Sequence, residues 1–316
     1  MELRHLRYFI VVADEGHFTR AAERLGMQQP PLSQQIRALE DELGFSLFVR
    51  HPKGATLTAG GAVFLQEAKA ILDNVADGAA RAARVARGTE GHISLGLTSS
   101  AAAHPLIPRT MRAYRNARPG VTVEFREGNA AELTDAVAAG KLDVAFLRQP
   151  VSQPAGLVFH QLAQEEMLLV LPRDHRLLAA QRDAAVPAIS LKSLKDEQFI
   201  LVRRRGAPGM YSNLIDACVR AGFTPTIAIE VDRMLTNISL VAAGAGVSAV
   251  PASMRGFHDE SVAYCRILDG GPNLDAPVTL VCRQAGTAPA VEHFLAETLR
   301  IAQLASPPRR NGLGQV

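Results

Sequence analysis

The chain is poor in the residues that cross-link small domains or span membranes. Among its 316 residues there is no tryptophan, and the three cysteines, Cys218, Cys265 and Cys282, lie far apart without a C-x-x-C pair. This spacing argues against a disulfide framework and indicates reduced thiols. No apolar run approaches the ~18 residues that cross a bilayer. Four of the first seven residues are charged or ionisable, unlike the apolar core of a secretion signal. We therefore expect a cytoplasmic protein without a membrane partner.

Sequence signatures of catalysis are also missing. The chain has no G-x-S-x-G, no G-x-x-x-x-G-K-[ST] and no H-E-x-x-H. Its nine histidines are dispersed, and no pair has the spacing of metal ligands. We therefore expect no enzymatic activity, no catalytic residue, no bound metal and no cofactor.

What the sequence does contain, near its start, is a pair of short helices joined by a tight turn. An apolar stripe over residues 18–25 predicts the first helix, and Gly26 suits the position just past its end. Pro30 and Pro31 suit the first turn of a second helix because their missing amide hydrogens are not needed there. The buried stripe of that second helix would consist of Leu32, Ile36 and Leu39.

The outward face of the second helix carries side chains that hydrogen-bond to base edges or phosphates. A two-stranded turn follows at residues 48–58 and would place two basic residues beside the helices, like a wing. This pattern predicts a winged helix-turn-helix that binds double-stranded DNA; the alternative is an ordinary surface αα-hairpin. The predicted DNA-contacting residues are Gln29, Pro30, Ser33, Gln34, Arg37, Arg50 and Lys53.

The charge balance gives this prediction little support. The first 60 residues contain seven basic and seven acidic residues. A neutral domain does not attract DNA by its bulk charge, so binding requires that basic residues be sorted onto one face. The acidic cluster at residues 40–42 lies past the reading surface, which permits such sorting.

A long amphipathic helix is predicted from the N-cap Thr58 to about Arg87. Its apolar or small residues step by four and three, which is the pattern of a coiled-coil seam. A helix of this length with no core of its own requires a partner, and a second copy would present two reading heads to a two-fold DNA site. The predicted dimerisation residues are Phe64, Ile71 and Val75.

Beyond residue 92, short β-rich runs alternate with helical stretches, which predicts open, mostly parallel sheets flanked by helices. Such sheets bind ligands at the carboxyl ends of their strands. Several hydroxyl, amide and guanidinium side chains follow predicted strands, and they would suit a carboxylate-bearing ligand. The alternative is that the hydroxyls cap helices and the arginines pair with acidic neighbours. The predicted ligand contacts are Ser99, Ser100, Asn129, Arg148, Arg203, Pro208 and Tyr211.

The N-terminal text resembles the LysR-type family of bacterial transcriptional regulators. The matching segments are residues 1–9, 18–22, 29–33 and 39–50, and the likeness continues to about residue 303. Within the family the chain looks most like regulators of aromatic-compound breakdown that respond to benzoate or muconate. The resemblance implies that Ser99 and Ser100 contact an effector and that Arg148 matches an arginine of those relatives. Asn129 stands where they tend to have threonine.

The resemblance also implies the domain organisation. We expect a winged helix-turn-helix at 1–58, a linker helix at 59–88, an effector-binding domain at 89–304 and a disordered tail at 305–316. The effector-binding domain would have two doubly wound α/β subdomains like those of a periplasmic binding protein. Subdomain I would comprise 92–162 and 269–304 and subdomain II 163–268, with crossovers near 161–164 and 268–272. The family usually forms tetramers, as dimers of dimers.

Two functions of different classes follow. The first is a ligand-responsive DNA-binding regulator, in which a small anionic effector between the subdomains alters how the bound DNA is held. The second is a solute-binding protein with a helical extension and no role on DNA. That second function would call for a cleaved signal and no reading helix, and the sequence favours the first.

Overall fold

The structure is a computed structural model that describes residues 1–181, 184–202, 209–271 and 274–305. The predicted contacts Arg203 and Pro208, part of the second predicted crossover and residues 306–316 of the predicted tail lie outside these residues. The chain divides into two compact units, which we call the head (Met1–Arg84) and the ligand unit (Val85–Val316).

The head contains three short helices, a two-stranded hairpin and most of a long helix. Strands β1 and β2 pair antiparallel and form the predicted wing. The elements are α1 (Leu3–Glu15), α2 (Phe18–Arg24), α3 (Gln29–Leu43), β1 (Phe48–His51), β2 (Gly54–Leu57) and α4 (Ala59–Ala86).

The α2–α3 turn forms for the reasons that the sequence suggested. Gly26 adopts a φ of 64°, a left-handed conformation that side chains with a Cβ rarely adopt. The stripes of both helices are buried in one core, in which Ala21, Leu32 and Ile36 are inaccessible to solvent. The predicted winged helix-turn-helix is therefore confirmed.

Helix α4 begins as predicted, but half of its apolar stripe has a different role. The Oγ1 of Thr58 accepts a hydrogen bond from the Gly61 amide at 2.8 Å and caps the helix. Phe64 and Ile71 pack against the core of the head, and the Phe64 and Phe9 ring centroids lie 5.4 Å apart. We expected α4 to have no core of its own, and this is wrong for its first half. Helices α1–α3 leave an apolar face exposed, and the first half of α4 covers that face. Farther along, Val75 is 45% exposed.

The ligand unit alternates strands and helices. Its elements are β3 (Glu90–Leu97), α5 (Ser99–Ala102), α6 (Leu106–Ala117), β4 (Gly120–Glu127), α7 (Ala130–Ala138), β5 (Val144–Leu147), β6 (Leu157–Pro172), β7 (Ala188–Ile189), β8 (Gln198–Val202), α8 (Gly209–Arg220), β9 (Thr226–Val231), α9 (Met234–Ala242), β10 (Ser248–Pro251), β11 (Val262–Ile267), β12 (Asp275–Arg283) and α10 (Pro289–Ala305).

The 16-residue strand β6 joins two sheet regions. Its first half pairs with β12 beside the parallel strands β4, β3 and β5, and its second half pairs with β10 and β11. From the sequence we expected a crossover near 161–164. In the structure the strand runs through that segment, and the register against β12 shifts opposite Leu162. Because β12 is antiparallel to both β5 and β6, the sheet is mixed.

Each half of the ligand unit has its own core, and we use subdomain I and subdomain II for these halves. Subdomain I contains β3–β5, β12, the first half of β6, α5–α7 and α10, with Phe146 and Phe294 at its centre. Subdomain II contains the second half of β6, β7–β11, α8 and α9, with Phe199 and Ile238 in two buried clusters. The predicted α/β class is confirmed.

The three cysteines are buried packing residues of the ligand unit. Burial, helped by the nearby Asp269 carboxylate, raises the pKa of the Cys218 thiol to about 12. Burial also raises the pKa of Cys265 to about 11. Both thiols are therefore protonated at neutral pH and are poor nucleophiles.

In the described part of the chain, no helix is long and apolar enough to cross a membrane.

Candidate functional site

Helix α3 presents the predicted reading residues on one face of the head. Gln29, Pro30, Gln34 and Arg37 are exposed, while Ser33 is half-buried. The Nε2 of Gln29 donates a hydrogen bond to Ser33 Oγ at 3.0 Å, so these two side chains form a local pair. The opposite face, with Leu32 and Ile36, is buried. The first turns of α3 therefore offer amide, hydroxyl and guanidinium groups to a partner.

The basic residues of the head fall into two groups, those that form ion pairs and those that do not. Four arginines lie within 4 Å of a carboxylate: Arg4 (Glu2), Arg20 and Arg24 (Glu15) and Arg50 (Glu40). Within residues 1–60, all of which the structure describes, Arg7, Arg37 and Lys53 have no ion pair, and two of these, Arg37 and Lys53, are predicted DNA contacts. The two predicted DNA contacts therefore retain free charge in a domain that is neutral overall, as a DNA-binding face requires.

Glu40 and Arg50 connect the reading helix to the wing. The Glu40 carboxylate accepts hydrogen bonds from the Leu47 and Phe48 amides at 2.8 and 3.2 Å. The Arg50 guanidinium lies 3.5 Å from that carboxylate and 4.8 Å from the centre of the Phe18 ring. Glu40 therefore has a structural role at the start of the acidic cluster, and Arg50 is held in place by its contacts within the head.

The ligand unit contains a cavity of about 500 Å³ at the carboxyl ends of β3, β4 and β5 and of β8 and β9. We call it the cavity. Residues of both subdomains line it, as expected for parallel α/β sheets. The polar residues of its lining include Ser99, Ser100, Glu127, Asn129, Arg148, Tyr211 and Arg233.

All five predicted ligand contacts that the structure describes line this cavity. Ser99 and Ser100 follow β3, Asn129 follows β4, and Arg148 follows β5. Tyr211 reaches it from α8 in subdomain II. Residues that lie more than 100 positions apart in the sequence therefore meet at one cavity.

Asn129 has a structural role as well. Its Oδ1 accepts a hydrogen bond from the Glu132 amide at 3.0 Å, and the Glu132 carboxylate accepts one from the Asn129 amide at 3.4 Å. This reciprocal pair is a capping box at the start of α7. The alternative that polar strand-end residues cap helices thus applies to Asn129.

Arg148 is 3% exposed and is already neutralised inside the protein. Its Nη1 lies 2.6 Å from Glu165 Oε1, and its Nε is buried without a hydrogen-bond partner among the described residues. Its Nη2 donates to the Ser100 carbonyl at 2.5 Å and to Ser253 Oγ at 2.9 Å. Burial lowers the pKa of the Arg148 guanidinium, and the Glu165 carboxylate acts in the opposite direction.

Glu165 completes a network across the two subdomains. Its carboxylate accepts hydrogen bonds from the Ser253 amide at 2.7 Å and from Ser253 Oγ at 2.8 Å. Arg148, of subdomain I, therefore binds Ser253, of subdomain II, both directly and through Glu165. Sequence reasoning missed Glu165 and Ser253 because neither follows a strand end that points at the cavity.

Three further charged residues of the cavity wall were missed by sequence reasoning. Arg233 is the N-cap residue of α9, and its guanidinium pairs with the Glu127 carboxylate at the end of β4. Asp232, which follows β9, also lines the cavity. The strand-end argument could have found all three, since Glu127 ends β4 and Asp232 and Arg233 directly follow β9.

Among the residues that the structure describes, no three His, Cys, Asp or Glu side chains lie close enough together to hold a metal ion.

Family profiles match both units. The profile described as "Bacterial regulatory helix-turn-helix protein, lysR family" matches residues 3–62. The profile described as "LysR substrate binding domain" matches residues 86–302. Together they cover almost all of the described chain.

Similar proteins span nearly the whole chain. The HTH-type transcriptional regulator AlsR of Bacillus subtilis is 36% identical over 93% of this chain and 94% of its own length. BenM of Acinetobacter baylyi, also an HTH-type transcriptional regulator, is 34% identical over 95% of each chain. The crystal structure of full-length CbnR complexed with its target DNA has a TM-score of 0.81 and 30% identity, over 96% of this chain and 100% of that one.

These likenesses decide between the two functions that the sequence allowed. The relatives are transcriptional regulators and not enzymes, and the helix-turn-helix profile leaves no place for a solute-binding protein without a role on DNA. The chain is a DNA-binding transcriptional regulator with an effector-binding domain, and it belongs to the LysR family.

Proposed function

We propose that this regulator binds a small carboxylate-bearing effector in the cavity and reads DNA through Gln29, Pro30, Ser33, Gln34, Arg37, Arg50 and Lys53. The observation that carries the effector proposal is the convergence of strand-end polar groups on one cavity of about 500 Å³. That volume lies within the range of small-molecule sites, which are roughly 300–1,000 Å³.

The polar groups of the cavity favour a carboxylate. Ser99, Ser100 and the first residues of α7 offer hydroxyl and backbone N–H donors, and a helix N-terminus favours negative charge. Two guanidiniums, Arg148 and Arg233, line the same wall. We assign no position in the site to Arg203 and Pro208.

The expected mechanism is a change in how the two subdomains are oriented. The cavity has walls from both subdomains, so a ligand that binds one arrangement better shifts the population toward it. The reading heads of an oligomer would then be held at a different spacing on DNA, or bend it differently.

The test is binding of acids to the full-length protein, measured by thermal unfolding and calorimetry. The panel contains benzoate, cis,cis-muconate and succinate, with benzamide as the neutral analogue of benzoate. A ligand at about 100 times its Kd should stabilise the folded state by ~2.7 kcal/mol. We expect an acid to bind and Ser100→Ala to weaken it, while Ser239→Ala, exposed on α9, has no effect. Stabilisation by neutral compounds only would contradict the carboxylate proposal.

We also propose that the chain assembles as a dimer of dimers with α4 as one contact. Ile71 and Phe64 pack in the head, so Asp at either position would damage the fold. Val75 is 45% exposed, so Val75→Asp tests association more cleanly. We expect Val75→Asp to reduce the sedimentation coefficient with unchanged helix content, and an exposed control, Gln66→Asp, to leave it unchanged. An unaltered assembly in Val75→Asp would contradict the α4 contact.

The predicted organisation completes the proposal: a reading head at 1–58, a linker at 59–88, an effector-binding domain at 89–304 and a tail at 305–316. A regulator of this kind would act in the cytoplasm, where it meets bacterial DNA.

A further inference from the structure

The two guanidiniums of the cavity wall differ in how readily a ligand could use them. Arg148 is buried, and its partners Glu165, Ser100 and Ser253 hold it from two subdomains. A ligand that took Arg148 from Glu165 would leave a carboxylate that is only 14% exposed without its counter-charge, which is unfavourable. In the described part of the cavity wall, Arg233 is the other guanidinium, and its side chain is 59% exposed.

The Glu127–Arg233 pair crosses from one subdomain to the other. Glu127 is the last residue of β4 in subdomain I, and Arg233 precedes α9 in subdomain II, 106 positions later. Both side chains line the cavity, and both are about half exposed. An exposed ion pair contributes little net free energy because water screens and solvates both charges. The pair is therefore placed to connect the subdomains and is easily exchanged.

We propose that Arg233 is the carboxylate-binding residue of the effector site and that Glu127 occupies it as an internal competitor. This inference rests on the proposed function. A ligand carboxylate would take the place of the Glu127 carboxylate on the Arg233 guanidinium. Arg233 would therefore keep one negatively charged partner. The link between subdomains would then run through the ligand, from Arg233 to the hydroxyls and amides of Ser99, Ser100 and α7.

If Glu127 competes with the ligand, neutralising Arg233 and neutralising Glu127 should change the affinity for the acid in opposite directions. Removing the Arg233 charge deletes the receptor, so acid binding should weaken. Neutralising Glu127 removes the competitor and a like charge, so acid binding should become tighter. A purely structural pair would lose binding in both variants, because either change would loosen the same wall.

Titration calorimetry of the full-length protein with benzoate, cis,cis-muconate and succinate separates these outcomes. We expect Arg233→Gln to weaken the acid that binds best by at least tenfold and Glu127→Gln to tighten it about threefold or more. Arg255→Gln and Glu260→Gln, exposed residues of subdomain II that do not line the cavity, serve as matched charge controls and should leave binding unchanged.

Three results overturn the inference: an acid that binds Arg233→Gln as tightly as the wild type, weaker binding to Glu127→Gln, or no binding of any of the three acids to Glu127→Gln. If an acid binds, depends on Ser100 and ignores Arg233, the proposed function stands and this inference is wrong. If no acid binds either the wild type or Glu127→Gln, the carboxylate proposal itself fails.

A distance measurement tests the connection between subdomains without a ligand. The native cysteines are buried, so spin labels can be attached at Lys141→Cys in subdomain I and Lys192→Cys in subdomain II. We expect Glu127→Gln and Arg233→Gln each to broaden the distance distribution, and the charge-reversed double variant Glu127→Arg with Arg233→Glu to restore it. Identical distributions in all variants would show that the pair does not link the subdomains.

Discussion

The head and the ligand unit differ in how many of their candidate functional side chains already have partners within the protein. In the head, Gln34, Arg37 and Lys53 point outward, and the two basic residues have no ion pair in the described chain, while Arg4, Arg20, Arg24 and Arg50 are paired. In the ligand unit, Asn129 caps α7 and Arg148 pairs with Glu165. The reading surface has free groups, whereas much of the cavity's polar wall already has partners.

This difference follows from the partners that each site meets. DNA is a large polyanion, and a binding face gains affinity from each uncompensated cation that it offers. A cavity inside a protein excludes much of the solvent, so its polar groups need internal partners to avoid a desolvation cost. Under the proposed function, a ligand there would have to exchange partners with these groups, and that exchange would let binding change the arrangement of the subdomains. Three substitutions or conditions test this contrast.

The largest effect should come from breaking the buried pair of the ligand unit. Glu165→Ala leaves the Arg148 guanidinium, 3% exposed, without its counter-charge. We expect a loss of about 3–5 kcal/mol in the free energy of unfolding, measured with urea. The surface pair Glu297–Arg300 is the matched control, and Glu297→Ala should cost no more than about 1 kcal/mol. Equal losses of stability in the two variants would contradict the idea that the Glu165–Arg148 pair matters more than a surface ion pair.

A smaller effect is expected from removing a free group of the head. Arg37→Ala should cost ~1–3 kcal/mol in binding to an operator selected from random duplexes, if it reads a base. The measurement is a titration at several salt concentrations, since a phosphate contact would instead lower the salt slope by about one. Arg24→Ala, whose side chain is paired with Glu15, should bind as the wild type does. A loss in Arg24→Ala as large as in Arg37→Ala would contradict the sorting of charges.

The smallest effect is a pH response that only the ligand unit should show, because all three cysteines lie there. Burial raises the pKa of Cys218 to about 12 and that of Cys265 to about 11. The stabilisation is complete below the unfolded thiol's pKa near 9 and is lost as pH rises toward the folded values. By pH 10 the loss should be on the order of 1 kcal/mol for each thiol.

Hydrogen exchange of the two units at pH 7 and 10, corrected for intrinsic rates, measures this response. Protection in the ligand unit should fall more than protection in the head. Cys218→Ala should show a smaller drop between the two pH values than the wild type. An equal drop in both units would count against the thiols as the cause.

Local signals carried much of the prediction. Gly26 and the prolines of α3 placed the helix-turn-helix because their backbone preferences act within a few residues. Strand ends placed Ser100, Asn129 and Arg148 at one cavity because parallel strands share an edge. Helix α4 shows the limit: its stripe was predicted from periodicity, but periodicity does not say which surface covers Phe64.

The sequence by itself determined most of the elements, the family and the outward face of α3, since propensity, capping and apolar spacing are local properties. Only the tertiary structure decided which charges face each other: Glu165 with Arg148, Glu127 with Arg233, and Glu40 with Arg50. Two of these pairs join residues that are 17 and 106 positions apart. Electrostatic pairing depends on distance in space and on burial, and neither is written in the spacing of residues along the chain.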